Sequence, residues 1–402
     1  MKPTTPRVSR SMPRPQRWGA AELERLSAMV TQPSLFYWRG PQTTALLDEF
    51  RRRYPLNFCF PTSSGTAALH VAIAALRLKP GDEVIVPAIT DMGSVIGILY
   101  QQAVPVFADL EPQTYNLDPA DVCRRITAKT RALMPVHLAG NPCDMSALMA
   151  IAREHRLQVI EDCAQAWGAR WRGQPVGLQG NLACFSFNDY KHVSCGDGGL
   201  VATNQLELGT GLGKWGDKFY DRETGGRDPL ELAPNYRMSE PQAAVAAAQL
   251  TKLEQIVANR HRAGTRLTEQ LAGAAGLRLP SVQTADTHSY WFYLLRLDRE
   301  RLAVSRDEFA QALTNAGVSC TPGYIPRPVY RYPVFQQHNF FSGHWPVREL
   351  GLTQMDYRQV RCPEAEAILE DSVKLTINEA MDDAYIDEVA AVVRDVARAA
   401  AR

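Results

Sequence analysis

Between Asn57 and about Ala202 the chain alternates short apolar runs with helical stretches, and this alternation constrains the fold more than any other feature. The runs include 84–86 (Val-Ile-Val), 104–107 (Val-Pro-Val-Phe), 133–136, 159–160, 182–187 and 199–202. Residues 67–78 and 145–155 read as helices lying between them. Runs that are apolar throughout, separated by helices, predict a largely parallel sheet with both faces covered.

Beyond the sheet, Ser239-Glu240-Pro241-Gln242 has the spacing of a capping box, with the serine as N-cap and the glutamine three residues later. It predicts a helix running towards Ala258, with Leu250, Leu253 and Ile256 as its apolar stripe. That helix is expected to join two domains. A strand is expected over 290–297, and Ile386, Val389, Val393 and Val396 line one face of a C-terminal helix. A chain of 402 residues suits a large domain plus a smaller one. We place a large domain at 21–258 and a small C-terminal domain at 259–402. The start, residues 1–20, is rich in proline and arginine and reads as a mobile arm rather than a secretory signal.

Lys plus Arg is 44 and Asp plus Glu is 43, a balance that argues against nucleic acid or an anionic membrane as the main partner. No apolar run approaches the ~20 residues of a membrane span. The eight cysteines are scattered, with no C-x-x-C pair. That pattern predicts no metal site and free thiols in a reducing cytoplasm.

Three constellations carry possible chemistry. The first is Thr62-Ser63-Ser64-Gly65-Thr66-Ala67, after a strand and at the start of a helix. Free N–H groups and hydroxyls there make a phosphate seat, although a plain capped turn has the same sequence. The second is Val159-Ile160-Glu161-Asp162, with Asp162 at the carboxyl end of a buried strand, where open α/β sheets bind ligands. A carboxylate at that place either keeps a cofactor's ring nitrogen protonated or caps a helix. The third runs from Phe185 to Lys191 and on to Gly196-Asp197-Gly198-Gly199. Lys191 there is either an amine that attacks a carbonyl carbon or a solvated loop lysine.

Taken in order, these motifs give the chain a resemblance to the DegT/DnrJ/EryC1/StrS sugar aminotransferases. The matching stretches are SGTAAL at 64–69, EDCAQAWGA at 161–169, FSFNDYK at 185–191, GDGG at 196–199 and NYRMSEPQAA at 235–244. The resemblance implies a fold-type I enzyme dependent on pyridoxal 5′-phosphate (PLP). Its large domain would carry a mostly parallel seven-stranded sheet between helices, with a smaller α+β domain following. It implies that Lys191 bonds the cofactor covalently and shuttles a proton, and that Asp162 faces the pyridinium nitrogen. Gln165 would bond the ring 3-oxygen, and Ala164 would pack on one ring face. Gly65, Thr66 and Ser186 would hold the phosphate. Asn235 would reach the phosphate of the other subunit in a homodimer with shared active sites. Glutamate or glutamine is the implied amino donor, with a nucleotide-linked keto sugar, or a cyclitol or aminoglycoside intermediate, as acceptor.

The chain departs from the family at Asp91, in Thr90-Asp91-Met92-Gly93, where an aromatic ring normally stacks on the cofactor. We expect Asp91 to meet a polar part of the substrate instead. His137, His288 and Tyr324 are further candidates for substrate contact, although for each histidine a structural role competes. Two other functions compete with amino transfer. One is deoxysugar dehydration, whose enzymes in this family carry histidine in place of the lysine; a register slip of one residue would put His192 there. The other is a non-catalytic regulatory role on the same fold.

Overall fold

The computed structural model describes residues 7–402. Seven strands form the main sheet: β1 (Phe58–Thr62), β2 (Glu83–Pro87), β3 (Val104–Ala108), β4 (Thr130–Leu133), β5 (Gln158–Asp162), β6 (Leu182–Ser186) and β7 (Gly199–Thr203). Their order across the sheet is β1-β7-β6-β5-β4-β2-β3. β7 alone runs antiparallel to its neighbours, and the remaining pairs are parallel. In β2, β3, β6 and β7 every residue is buried, the expected result for strands covered on both faces.

This topology brings distant stretches of sequence to one edge. β1, β2, β5 and β6 all point their carboxyl ends the same way. The turn after Thr62, the loop after Pro87, Asp162 and the loop after Ser186 therefore share one crevice. β7 enters from that edge, and Gly199 pairs with both Thr62 and Ser186. The approach is so close that a Cβ on Gly199 would lie 2.2 Å from the carbonyl oxygen of Ser64, so only glycine fits.

Downstream lies a four-stranded antiparallel sheet of β8 (Leu277–Arg278), β9 (Tyr293–Leu297), β10 (Cys320–Pro322) and β11 (Ser372–Leu375), in the order β8-β9-β11-β10. Phe309 and Leu313, with Ile386, Val389, Val393 and Val396 of the C-terminal helix Asp383–Ala399, build its core. Residues further along return to the main sheet. Val329, Tyr330, Phe335, Tyr357 and Ile368 join the core over β2 and β3, and the Tyr357 hydroxyl donates to the carbonyl of Pro105 at 3.0 Å.

Several elements differ from expectation, each for a local reason. The strand expected at 133–136 is Thr130–Leu133; Pro135 offers no N–H to continue a ladder, and only an isolated bridge joins Val136 to Asp162. The long helix opened by Ser239 is two helices, Glu240–Leu250 and Leu253–Leu271. At the junction Thr251 turns its hydroxyl back onto the carbonyl of Ala248 at 2.7 Å, a bond that competes with the backbone ladder. β9 begins at Tyr293 rather than Tyr290, because Tyr290 holds a left-handed φ of 46°. Its N–H goes to His288 Nδ1 at 2.9 Å. Over 7–19, the stretch read as an arm has no helix or strand and bonds to its own chain. Val8 N–H donates to the Ala316 carbonyl at 2.9 Å, and Ser9 N–H donates to Glu388 Oε2 at 2.7 Å. Residues 1–6 of that arm fall outside the described residues. Among the described residues all eight cysteines are free, and no helix is long and apolar enough to cross a membrane.

Candidate active site

Ser64 caps the helix Gly65–Ala75, its hydroxyl accepting the N–H of Ala67 at 3.1 Å. As at any helix start, the first N–H groups lack a partner one turn back, and Ser64 takes only that of Ala67 by its side chain. Gly65 is pressed against β6: a Cβ there would stand 2.7 Å from Cβ and 3.0 Å from Oγ of Ser186. Gly65 and Ser186, 121 positions apart in sequence, thus form one cradle, and Thr66 lies beside it, facing Gly93.

Asp162 ends β5 and is 3% exposed. Each of its oxygens has one donor. Ser94 Oγ donates to Oδ2 at 2.8 Å, and Ala164 N–H to Oδ1 at 3.0 Å. Thr90 Oγ1 in turn lies 2.6 Å from Ser94 Oγ. Burial pushes the Asp162 carboxyl up, while its two hydrogen bonds and the charge of Lys191 pull it back.

Lys191 is 9% exposed, on the irregular loop after β6. Its Nζ stands 3.6 Å from the centroid of the Trp291 indole. Burial lowers its pKa to about 8, against the opposing charges of Asp162 and Asp91. A lysine depressed that far has a useful neutral fraction near neutral pH, which is what a nucleophilic amine requires. The Trp291 ring is held in turn by its N–H, which donates to the Tyr190 carbonyl at 2.6 Å. Tyr324 packs edge-on against it with centroids 5.8 Å apart.

Gln165 links two walls of the crevice: its Oε1 accepts Ala139 N–H at 2.9 Å and its Nε2 donates to the Tyr324 hydroxyl at 3.2 Å. Tyr324 therefore packs against both Gln165 and Trp291. Asp91 is exposed at the mouth and accepts the Gly93 N–H at 2.8 Å. Asn235 is exposed on the loop before Ser239, away from the loop of Lys191 in its own chain's sequence.

Neither histidine candidate joins this group as a substrate contact. His137 is wholly buried, with Nε2 at 3.0 Å from Glu161 and Nδ1 accepting the N–H of Cys143 at 3.0 Å. Both ring nitrogens are thus committed, and Glu161 is further occupied by the N–H groups of Gly177, Gln179 and Gly180. His288, 2% exposed, is stacked flat on Tyr290 with centroids 3.8 Å apart. Burial pushes its pKa down to about 3. These two rings hold the backbone beneath the crevice.

Two residues of the site escaped the sequence. Trp291 sits in an aromatic run that reads as part of a strand, and only the turn at Tyr290 swings it over Lys191. Ser94 left no pattern to read: it lies in the first turn of the helix Gly93–Tyr100, while its partner Thr90 precedes that helix.

The sequence profile described as the DegT/DnrJ/EryC1/StrS aminotransferase family matches residues 19–394. A GDP-perosamine synthase of Caulobacter vibrioides is 38% identical over 265 residues, which are 66% of this chain and 71% of that protein. Among solved structures, S. venezuelae DesV superposes with a TM-score of 0.81 at 29% identity, covering 94% of each chain. A 3-amino-5-hydroxybenzoic acid synthase gives 0.85 at 26% identity, covering 97% of this chain and 99% of that one. A match of that extent, on a sheet of this order, makes the chain a member of the DegT/DnrJ/EryC1/StrS aminotransferase family, with the fold-type I architecture.

Proposed function

We propose that the chain moves an amino group from glutamate or glutamine to a keto or aldehyde carbon of a nucleotide-linked sugar, with PLP as cofactor. Cyclitol and aminoglycoside intermediates are the next acceptor class. The observation that carries this reading is Lys191, a buried amine lowered to about 8 that shares its crevice with a buried acid.

The residues present suit the cofactor. The cradle of Gly65 and Ser186, with Thr66 beside it, offers backbone N–H groups and hydroxyls to a phosphate. Asp162, pushed up by burial, gains a counter-charge from a protonated ring nitrogen, which would bring its pKa back down. Ala164 would lie against one ring face, and Gln165 would meet the ring 3-oxygen. When bound, the cofactor supplies an electron sink for the carbanion formed on losing a proton from the amino-bearing carbon. Lys191 would take that proton and return it, and the indole of Trp291 would keep its amine dry and oriented. Asn235 would complete the phosphate seat of a second copy of the chain, which makes a homodimer the working form.

His192 does not replace the lysine. It is fully buried, and its Nε2 is 3.0 Å from the carbonyl oxygen of Ser289. This favours amino transfer over dehydration. Absorbance spectra of the purified protein with added PLP test the proposal. A visible band that shifts on addition of glutamate or glutamine supports it. A band indifferent to every amino donor contradicts it.

A further inference from the structure

The loop that carries Lys191 has no regular secondary structure between Phe187 and Gly198, so its position depends on individual hydrogen bonds. Its carbonyls are tied by three side chains from elsewhere, of which Gln242 takes that of Asp197 at 2.6 Å. Trp291 takes the carbonyl of Tyr190. Arg17 takes three in the stretch around the lysine: its guanidinium donates to the carbonyls of Asp189 and Lys191, and to that of His192 at 3.4 Å. The Asp189 carboxylate lies 4.0 Å away.

Arg17 is itself held from behind. Its carbonyl accepts from Gln249 Nε2 at 2.7 Å and from Lys252 Nζ at 2.9 Å. Both donors also bond Glu22, at 2.8 and 2.5 Å. Upstream, the Pro13 carbonyl accepts from Asn378 at 2.9 Å, and Arg10 pairs with Asp382. The segment therefore runs as a strap from the C-terminal helix to the underside of the loop. A planar guanidinium with five N–H donors can span neighbouring carbonyls, and an ammonium on a flexible stem cannot hold the same fork.

We infer that Arg17 is a positioning residue for Lys191: the strap fixes the loop backbone, so that only the lysine side chain moves during the reaction. The inference rests on Lys191 being the reactive amine.

The test uses Arg17→Ala and Arg17→Lys in the full chain. In cofactor-free protein, backbone amides of 188–193 should exchange about ten-fold faster in Arg17→Ala, with those of 158–162 unchanged. In holoenzyme, kcat should fall about 10- to 100-fold, as for a small misplacement of a reacting group. KM should stay within a few-fold. Methylguanidinium should restore part of kcat in Arg17→Ala, and Arg17→Lys should remain impaired. Should Arg17→Ala not fold, Lys252→Met loosens the strap from behind and should speed exchange in the same amides. Unchanged exchange at 188–193 overturns the inference, as does a wild-type kcat. Covalent labelling of Lys191 by PLP in the wild-type chain, run alongside, separates the two claims. With no label, the reading of Lys191 fails, while exchange still reports on the anchor.

Discussion

The amine of Lys191 stands 3.6 Å from the centre of the Trp291 indole, on a loop whose Tyr190 carbonyl accepts the N–H of that same indole. One side chain thus both fixes the loop and walls the amine. Burial of the amine here outweighs the pull of Asp162 and Asp91, and the pKa falls from 10.5 to about 8. Below that pH the amine is protonated and cannot attack an aldehyde. Capture of PLP by the cofactor-free protein should therefore quicken as pH rises and level off above about 8. Stopped-flow absorbance measures it; an inflection near 10.5 would mean that the amine is solvated.

Asp162→Asn should keep the fold and the cofactor, since the amide can still accept from Ser94 or Ala164. It cannot supply the negative charge that holds a ring nitrogen protonated. Turnover should fall about 100-fold or more, the scale of losing one preorganised electrostatic partner. Steady-state kinetics beside a cofactor titration check this, and a loss of only a few-fold would make Asp162 a structural cap.

Much of this crevice was legible before the structure because its parts are local. A buried strand ending in Asp162, a capped helix start at Ser64, and a lysine five residues past Ser186 each leave a local signature. The strands over 84–86, 104–107, 159–160, 182–187 and 199–202 were legible for the same reason, as apolar runs. What stayed hidden depends on contacts between distant segments. No local pattern shows that Tyr290 turns left-handed and carries Trp291 over Lys191, or that Arg17 reaches the loop 172 positions later. His137 and His288 show the converse. Their neighbourhood in sequence pointed to the crevice, but the burial that commits their rings is a tertiary property.

Asp91 occupies the position of an expected aromatic, and the structure leaves its side chain exposed at the mouth. Its charge acts on Lys191, Asp162 and Tyr324 together. Asp91→Ala should raise the acceptor KM more than it changes the spectrum of the bound cofactor. An unchanged KM with a disturbed spectrum would assign Asp91 to the cofactor.

A site shared between two chains has a numerical signature. Lys191→Ala and Asn235→Asp should each be inactive, the aspartate by repelling the phosphate. A mixed dimer would have one site with both lesions and one with neither. With random exchange about half the dimers are mixed, so up to about a quarter of wild-type activity should return. No recovery after verified exchange would mean that Asn235 serves its own chain.

The central claim is that Lys191 is the one lysine that bonds the cofactor. Borohydride reduction of the PLP-loaded protein, followed by peptide mapping, tests it most directly. The account predicts a single pyridoxyl label, on Lys191. A label on any other lysine, or none on Lys191, would contradict it.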